Sequence, residues 1–249
     1  MSPRLRAAVL LLAAIAAVGL TARLGVWQLD RAAQKLQLQA DIEGRAELPA
    51  LENAVLAASD TAAGEQLHRR VRLRGHWLAD RTVFLDNRPM EGRVGFFVVT
   101  PLQLEGRAEA ILVQRGWLPR DNQDRTRLPE LPTPAGTVEL AGRLTAAPSR
   151  LYEFAPSAGG VIRQNLDGAS FALETKLTLL PLTVLQLAPA GEGAAVDGLS
   201  RHWAAPDLGL QKHYGYAFQW FALAALFLGL YVWFQIVRPR RIRARFDAE

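Results

Sequence analysis

There is no cysteine among the 249 residues, which removes disulfide bonds, thiolate metal sites, a thiol nucleophile and covalent attachment of a c-type haem. Histidine is scarce as well: His68, His76, His202 and His213 are all there is. No two of them have the spacing of a helical zinc motif, and HExxH, the phosphate-binding loop, GxSxG and the dinucleotide fingerprint are missing. With no nucleophile and base readable together, the sequence argues against an enzyme. Two further absences are local, because no Asp, Glu, Lys or Arg occurs from Ala7 to Ala22 or from Tyr214 to Val237.

The second charge-free run has 24 residues and would extend about 36 Å as a helix, enough to cross a hydrocarbon core of about 30 Å. The first run is shorter, but Arg23 can snorkel and Leu24, Gly25, Val26 and Trp27 prolong it. A cleaved signal peptide competes for that first run, with Arg4 and Arg6 as its basic start and Leu20-Thr21-Ala22 before the cut. Its apolar stretch exceeds the usual one of roughly 7 to 15 residues, which favours an uncleaved anchor. Arg238, Arg240, Arg241, Arg243 and Arg245 place the C-terminal end in the cytoplasm, and two spans then return the N-terminus to the same side.

The expected organisation is a cytoplasmic N-terminus at 1–6, a transmembrane helix at 7–27, an outer domain with a membrane-proximal helix at 28–212, a second transmembrane helix at 213–237 and a basic cytoplasmic tail at 238–249. That describes an inner-membrane protein whose central domain is periplasmic and whose first partner is the lipid bilayer. The net charge of +5 resides in the two cytoplasmic ends, which hold seven arginines against two acids. Residues 7–237 are neutral overall, so the basicity reports topology and gives no case for a nucleic-acid partner.

Between the spans, 28–45 reads as a polar continuation of the first helix, and 47–66 as a segment compatible with a short helix. Period-two alternation marks a strand from Leu67 to Trp77, and a second follows at Val83–Leu85, ending in an Asp86-Asn87-Arg88-Pro89 turn. These two are expected to form an antiparallel hairpin. Further strands are expected at 95–104, 110–117, 137–144 and 178–187, a surface loop at 119–136, a short helix at 168–177 and a flexible stretch at 189–198. The fold class is therefore two transmembrane helices flanking an α+β, mainly antiparallel β, extracytoplasmic domain.

His213 stands at the outer mouth of the second span and shares a helical face with Tyr216, Ala217 and Trp220. An imidazole beside aromatic rings at a membrane surface can ligate the iron of a lipophilic haem, whereas the plainer reading is an interfacial anchor belt. Trp27, Gln28 and Arg31 fall at the same depth on the first span and admit the same two readings. Arg70, Arg72, Arg74 and His76 make one strand face basic, either a docking surface for an acidic partner, headgroups or propionates, or a solvated face. Arg115-Gly116-Trp117 and Asn87-Arg88 read as structural, with Gly116 allowing close backbone approach.

Four segments resemble, in order, the surfeit locus protein 1 family of cytochrome c oxidase assembly factors: LGVWQLDRAAQK (24–35), FLDNRPMEGRVGFFVVTPLQL (84–104), ILVQRGWLPR (111–120) and KHYGYAFQWFALA (212–224). The resemblance implies a non-enzymatic role in maturing haem-copper oxidases, holding haem A and passing it to the catalytic subunit, with haem A synthase as a further partner. It implies His213 as axial iron ligand with Tyr216 and Trp220 beside it, and supporting roles for Trp27, Gln28, Arg31, Arg115, Gly116 and Trp117. Gln114 departs from the Asn that relatives often carry before Arg-Gly-Trp. Residues 121–200 match poorly, and no role is carried into them. The alternative is a membrane-anchored interaction module that stabilises an oxidase subunit without binding haem.

Overall fold

A computed structural model of the chain describes residues 2–121, 123–124, 128, 130–152, 159–188, 197–203 and 209–241. The chain divides into two compact units, one of Met1–Asp41 with Pro206–Glu249 and the other of Ile42–Ala205. Most of the stretch expected to be flexible, 189–196, the end of the basic tail, 242–249, and part of the 119–136 loop lie outside the described residues.

The first unit is built on two helices, α1 (Pro3–Glu47, whose last turns belong to the second unit) and α4 (Leu210–Val232), the latter continuing through a π-helical turn at Trp233–Val237. Both are long and apolar enough to cross a membrane, and their most apolar windows are only 11% and 6% buried. A core helix of a soluble protein would hide that surface. The polar continuation expected after the first apolar run is part of the same unbroken helix.

The second unit holds seven strands: β1 (Arg70–Trp77), β2 (Val83–Met90), β3 (Arg93–Leu104), β4 (Ala110–Pro119), β5 (Thr137–Thr145), β6 (Ile162–Arg163) and β7 (Leu179–Gln186). Their order is β1-β5-β7-β4-β3-β2-β6, and β1 also pairs with β3, so five strands close into a small barrel from which β2 and β6 extend. Closure leaves no open edge among those five strands. Val71, Leu73, Leu102, Ile111, Val113, Leu144, Leu182 and Val184 fill the interior. Outside, α3 (Gly168–Thr175) packs Phe171 with Val83, Leu85, Val99 and Leu112. Its first turn is capped by the Asp167 carboxylate, which accepts from the Ser170 amide at 2.9 Å.

Strands at 95–104, 110–117, 137–144 and 178–187 and the helix at 168–177 occur where the alternation places them, within two residues at each end. In 47–66 the helical part is α2 (Asp60–Gln66), preceded by a 3-10 turn at Asn53–Val55. The expected β1–β2 hairpin does not form. Both strands pair with the same edge of β3, one after the other, Leu85 and Val83 opposite Phe97 and Val99, then Trp77 and Gly75 opposite Leu102 and Leu104. A 3-10 turn at Ala79–Arg81 carries the chain from one position to the next. Nor does the chain turn at Asp86–Pro89: β2 runs through it with a bulge at Asn87 (φ 61°), and the reversal is the two-residue loop Glu91-Gly92, both with positive φ. Such a loop matches the twist of the flanking strands. Most pairings are antiparallel, and β4–β7 and β2–β6 are parallel.

Candidate functional site

In the two-helix unit the residues buried on α1 are Thr21, Gly25 and Ala32, and those on α4 are Ala217 and Ala224. Positions 21, 25 and 32 repeat at helical spacing, and so do 217 and 224, so each set lies on one stripe of small side chains. The two helices touch there: a Cβ added at Gly25 would lie 2.8 Å from the Phe221 ring. Gln28 falls on the same stripe of α1, and His213 on that of α4. They meet across the pair, with His213 Nδ1 2.8 Å from Gln28 Oε1.

With the amide oxygen as acceptor, the imidazole donates through Nδ1–H and keeps its Nε2 lone pair on the far side of the ring. A neutral histidine oriented through one nitrogen is the form that binds a metal through the other. On α1, Arg31 stacks over Trp27 at 5.7 Å and donates Nη1–H to Gln34 Oε1 at 3.1 Å. Trp27 and Tyr216 are about half exposed, and Trp220 is partly buried. Of the six residues named on the two helices, the structure joins Gln28 to His213 and Arg31 to Trp27.

The other named residues, Arg115, Gly116 and Trp117, belong to the sheet unit and are interior to it. Val99 pairs with Gln114 and Val98 with Gly116, so Arg115 is the extra residue of a β-bulge in β4. Gly116 admits the chain at Leu199 and Ser200, whose atoms would stand 2.6 and 2.9 Å from an added Cβ. Trp117 then exchanges backbone hydrogen bonds with Ser200 at 2.7 and 2.8 Å, and its indole donates to the Arg88 carbonyl at 2.8 Å. Gly95 makes room for that indole, since a Cβ there would meet the ring at 2.6 Å.

Arg88, placed at a turn by the sequence, is instead 1% exposed. Its guanidinium donates to Ser149 Oγ at 3.1 Å and to the Gln164 carbonyl at 2.6 Å. The basic face of β1 is partly neutralised, because Arg72 lies 3.7 Å from Glu139 and Arg74 3.4 Å from Glu105. Sequence reading gave no sign of Asp197 and Arg201 as neighbours of Arg115; they come together only through the fold.

The sequence profile of the SURF1 family matches residues 15–225. The chain belongs to the SURF1 family. It is 27% identical over 220 residues to a SURF1-like protein of Drosophila melanogaster, covering 81% of this chain and 69% of the relative. A SURF1-like protein of Rickettsia bellii is 26% identical over 230 residues, covering 84% and 83%. The cytochrome oxidase assembly protein SHY1 of Saccharomyces cerevisiae is 30% identical over 95 residues, which is 38% of this chain and 24% of that protein. All four resembling segments lie within the SURF1 match, which reaches into both helices and spans the whole sheet unit.

Proposed function

We propose that this protein is a membrane-anchored assembly factor for a haem-copper oxidase, which holds haem A through His213 and delivers it to the catalytic subunit. Membership of the SURF1 family and likeness to a yeast cytochrome oxidase assembly protein support the assembly role. The exposed apolar surfaces of α1 and α4 support two membrane spans. The arginines after Val237 favour a cytoplasmic C-terminus, with the sheet unit in the periplasm. A tag inserted near residue 130 and reachable from the cytosol would overturn this topology.

The observation that carries the haem reading is the His213–Gln28 hydrogen bond across the two helices. The residues fit the group: an imidazole engaged through Nδ1, with the half-exposed Tyr216 ring on the same helical face and the half-exposed Trp27 next to Gln28 in sequence, surfaces against which an apolar macrocycle can lie. Bound there, the haem would supply an iron coordination position and propionates. Gln28 fixes the tautomer and aim of His213, while Trp27, Tyr216 and Trp220 shield the apolar faces from water. Arg31, held over Trp27, adds positive charge at the same helical level. No role at the haem is assigned to Arg115 and Trp117 by contact; they shape the sheet unit.

Purified protein from cells with a haem A synthesis pathway should carry its absorbance, and protein from cells without it should not. His213→Ala should lose the chromophore while the sheet unit melts unchanged. Normal oxidase assembly by a folded His213→Ala protein with no chromophore would instead support an interaction module that works without haem.

A further inference from the structure

At the end of the barrel where β1, β4 and β7 finish and β5 begins, a cavity of about 520 Å³ opens beside Trp77, Val138 and Leu140. That is within the range of small-molecule sites. Its walls carry Arg115 and Arg201, whose side chains are 2% and 3% exposed, and the partly buried Asp197. Asp197 is committed to Arg201, with contacts of 2.5 and 3.2 Å to its two terminal nitrogens. Arg115 stands 3.7 Å from the same carboxylate, beyond hydrogen-bond reach. The remaining acid of the lining, Glu139, faces Arg72 at 3.7 Å.

Asp197, the carboxylate nearest to Arg115, is thus hydrogen-bonded to Arg201 and not to Arg115. Arg115 covers only part of its fork with neutral oxygens, Thr133 Oγ1 at 2.8 Å and the Pro132 carbonyl at 3.0 Å, and lies 4.8 Å over Trp77. The Nε–H groups of both arginines are buried without a partner, and so is Gln186 Oε1. Burial also pulls the Arg115 guanidinium below its ordinary pKa, against the raising effect of the Asp197 carboxylate. The bulge in β4 aims it there.

We propose that this cavity binds a small monoanion with an apolar body, a carboxylate on an aromatic or hydrocarbon group. The carboxylate pairs with Arg115, which has no carboxylate of the described residues within hydrogen-bond distance, and the apolar part lies against Trp77, Val138 and Leu140. Gln186 Oε1 suits a hydroxyl on the ligand or a water. None of these residues belongs to the two-helix unit, so the proposal stands or falls apart from the haem reading.

The test is calorimetric titration of the purified full chain in detergent with benzoate, and with benzyl alcohol as the neutral control. Benzoate should bind saturably at one site, and benzyl alcohol at least tenfold more weakly. Arg201→Gln frees Asp197 for Arg115 and should weaken benzoate at least tenfold. Asp197→Asn removes the competing carboxylate and should tighten it. Val138→Trp fills the cavity without changing charge and should block binding, which keeps the test decisive if a charge variant fails to fold. His213→Ala should bind benzoate as the parent does. Absence of saturable benzoate binding, equal binding of the alcohol, or unaltered binding by folded Arg201→Gln or Val138→Trp would overturn the proposal.

Discussion

Arg88 in the sheet unit is sealed from solvent and spends its donors on Ser149 and Gln164, whereas Arg31 in the helix pair lies on the surface, stacked over Trp27. Glycines inside the strands differ in a similar way from those of the helix pair. A Cβ at Gly75, Gly95, Gly116 or Gly142 would lie within 3.0 Å of a backbone oxygen, whereas at Gly25 it would crowd only the Phe221 ring and at Gly19 and Gly229 it would meet open space. In the sheet, motif residues are consumed by folding. In the helix pair the buried residues are small, and the His213–Gln28 hydrogen bond engages only one of the two ring nitrogens. Arg88 and Arg31 both lie in the segments that resemble the family, so resemblance alone does not tell a residue that builds the fold from one left at the surface.

The sharpest way to break this contrast is through its glycines. A Cβ at Gly75 would lie 2.2 Å from the Gln103 carbonyl, where β1 meets β3 to close the barrel. Backbone cannot move aside as a flexible side chain does. Gly75→Ala should cost about 3 kcal/mol, read as a lower urea midpoint of the sheet unit. Gly19→Ala should leave that midpoint in place. Equal effects from the two would remove the distinction.

Next in size is the polar link between the helices. Gln28→Leu keeps His213 but removes the acceptor for Nδ1–H, so haem affinity should fall about 10- to 100-fold with the chromophore still recoverable at high haem. Titration of apo-protein with haem measures it. Unchanged affinity would mean that Gln28 does not orient the ligand.

On the sheet side, Trp117→Phe keeps most of the ring volume but leaves the buried Arg88 carbonyl without its indole donor. A loss of about 1 to 2 kcal/mol is expected, measured by chemical denaturation, with haem absorbance unaffected. Loss of haem from a folded variant would instead give Trp117 the supporting role that the family resemblance implies.

How much of this was legible in the sequence follows from where the information resides. Charge-free runs and period-two alternation are local, so α1, α4 and most strands could be read directly. The partners of β1 and β2 could not, because they depend on β3 being long enough to serve both in succession along one edge. The turn is displaced for a related reason: Asn87 and Pro89 look like a reversal, yet β2 absorbs Asn87 as a bulge and reverses at Glu91-Gly92. At the site, depth and helical face bring Gln28 and His213 into view, and the structure joins them. The union of Arg115 with Asp197 and Arg201 had no signal, since charge pairing across a barrel end leaves no spacing to find.

The smallest expected effect is a pH dependence confined to the sheet unit. His68 follows α2, in left-handed backbone at φ 68°, and its pKa is lowered first by burial, then by the positive charges of Arg143 and Arg45. Folding thus favours its neutral form, while the unfolded chain retains an ordinary histidine near 6.5. Above that value both states are neutral and the contribution is fully present. As the pH falls below it the unfolded state gains a proton first, and stability declines until the folded pKa is passed. His68→Asn tolerates the same backbone and cannot titrate. Its urea midpoint should vary less than that of the parent protein between pH 7 and 5, and parallel curves for the two would exclude His68 as the source.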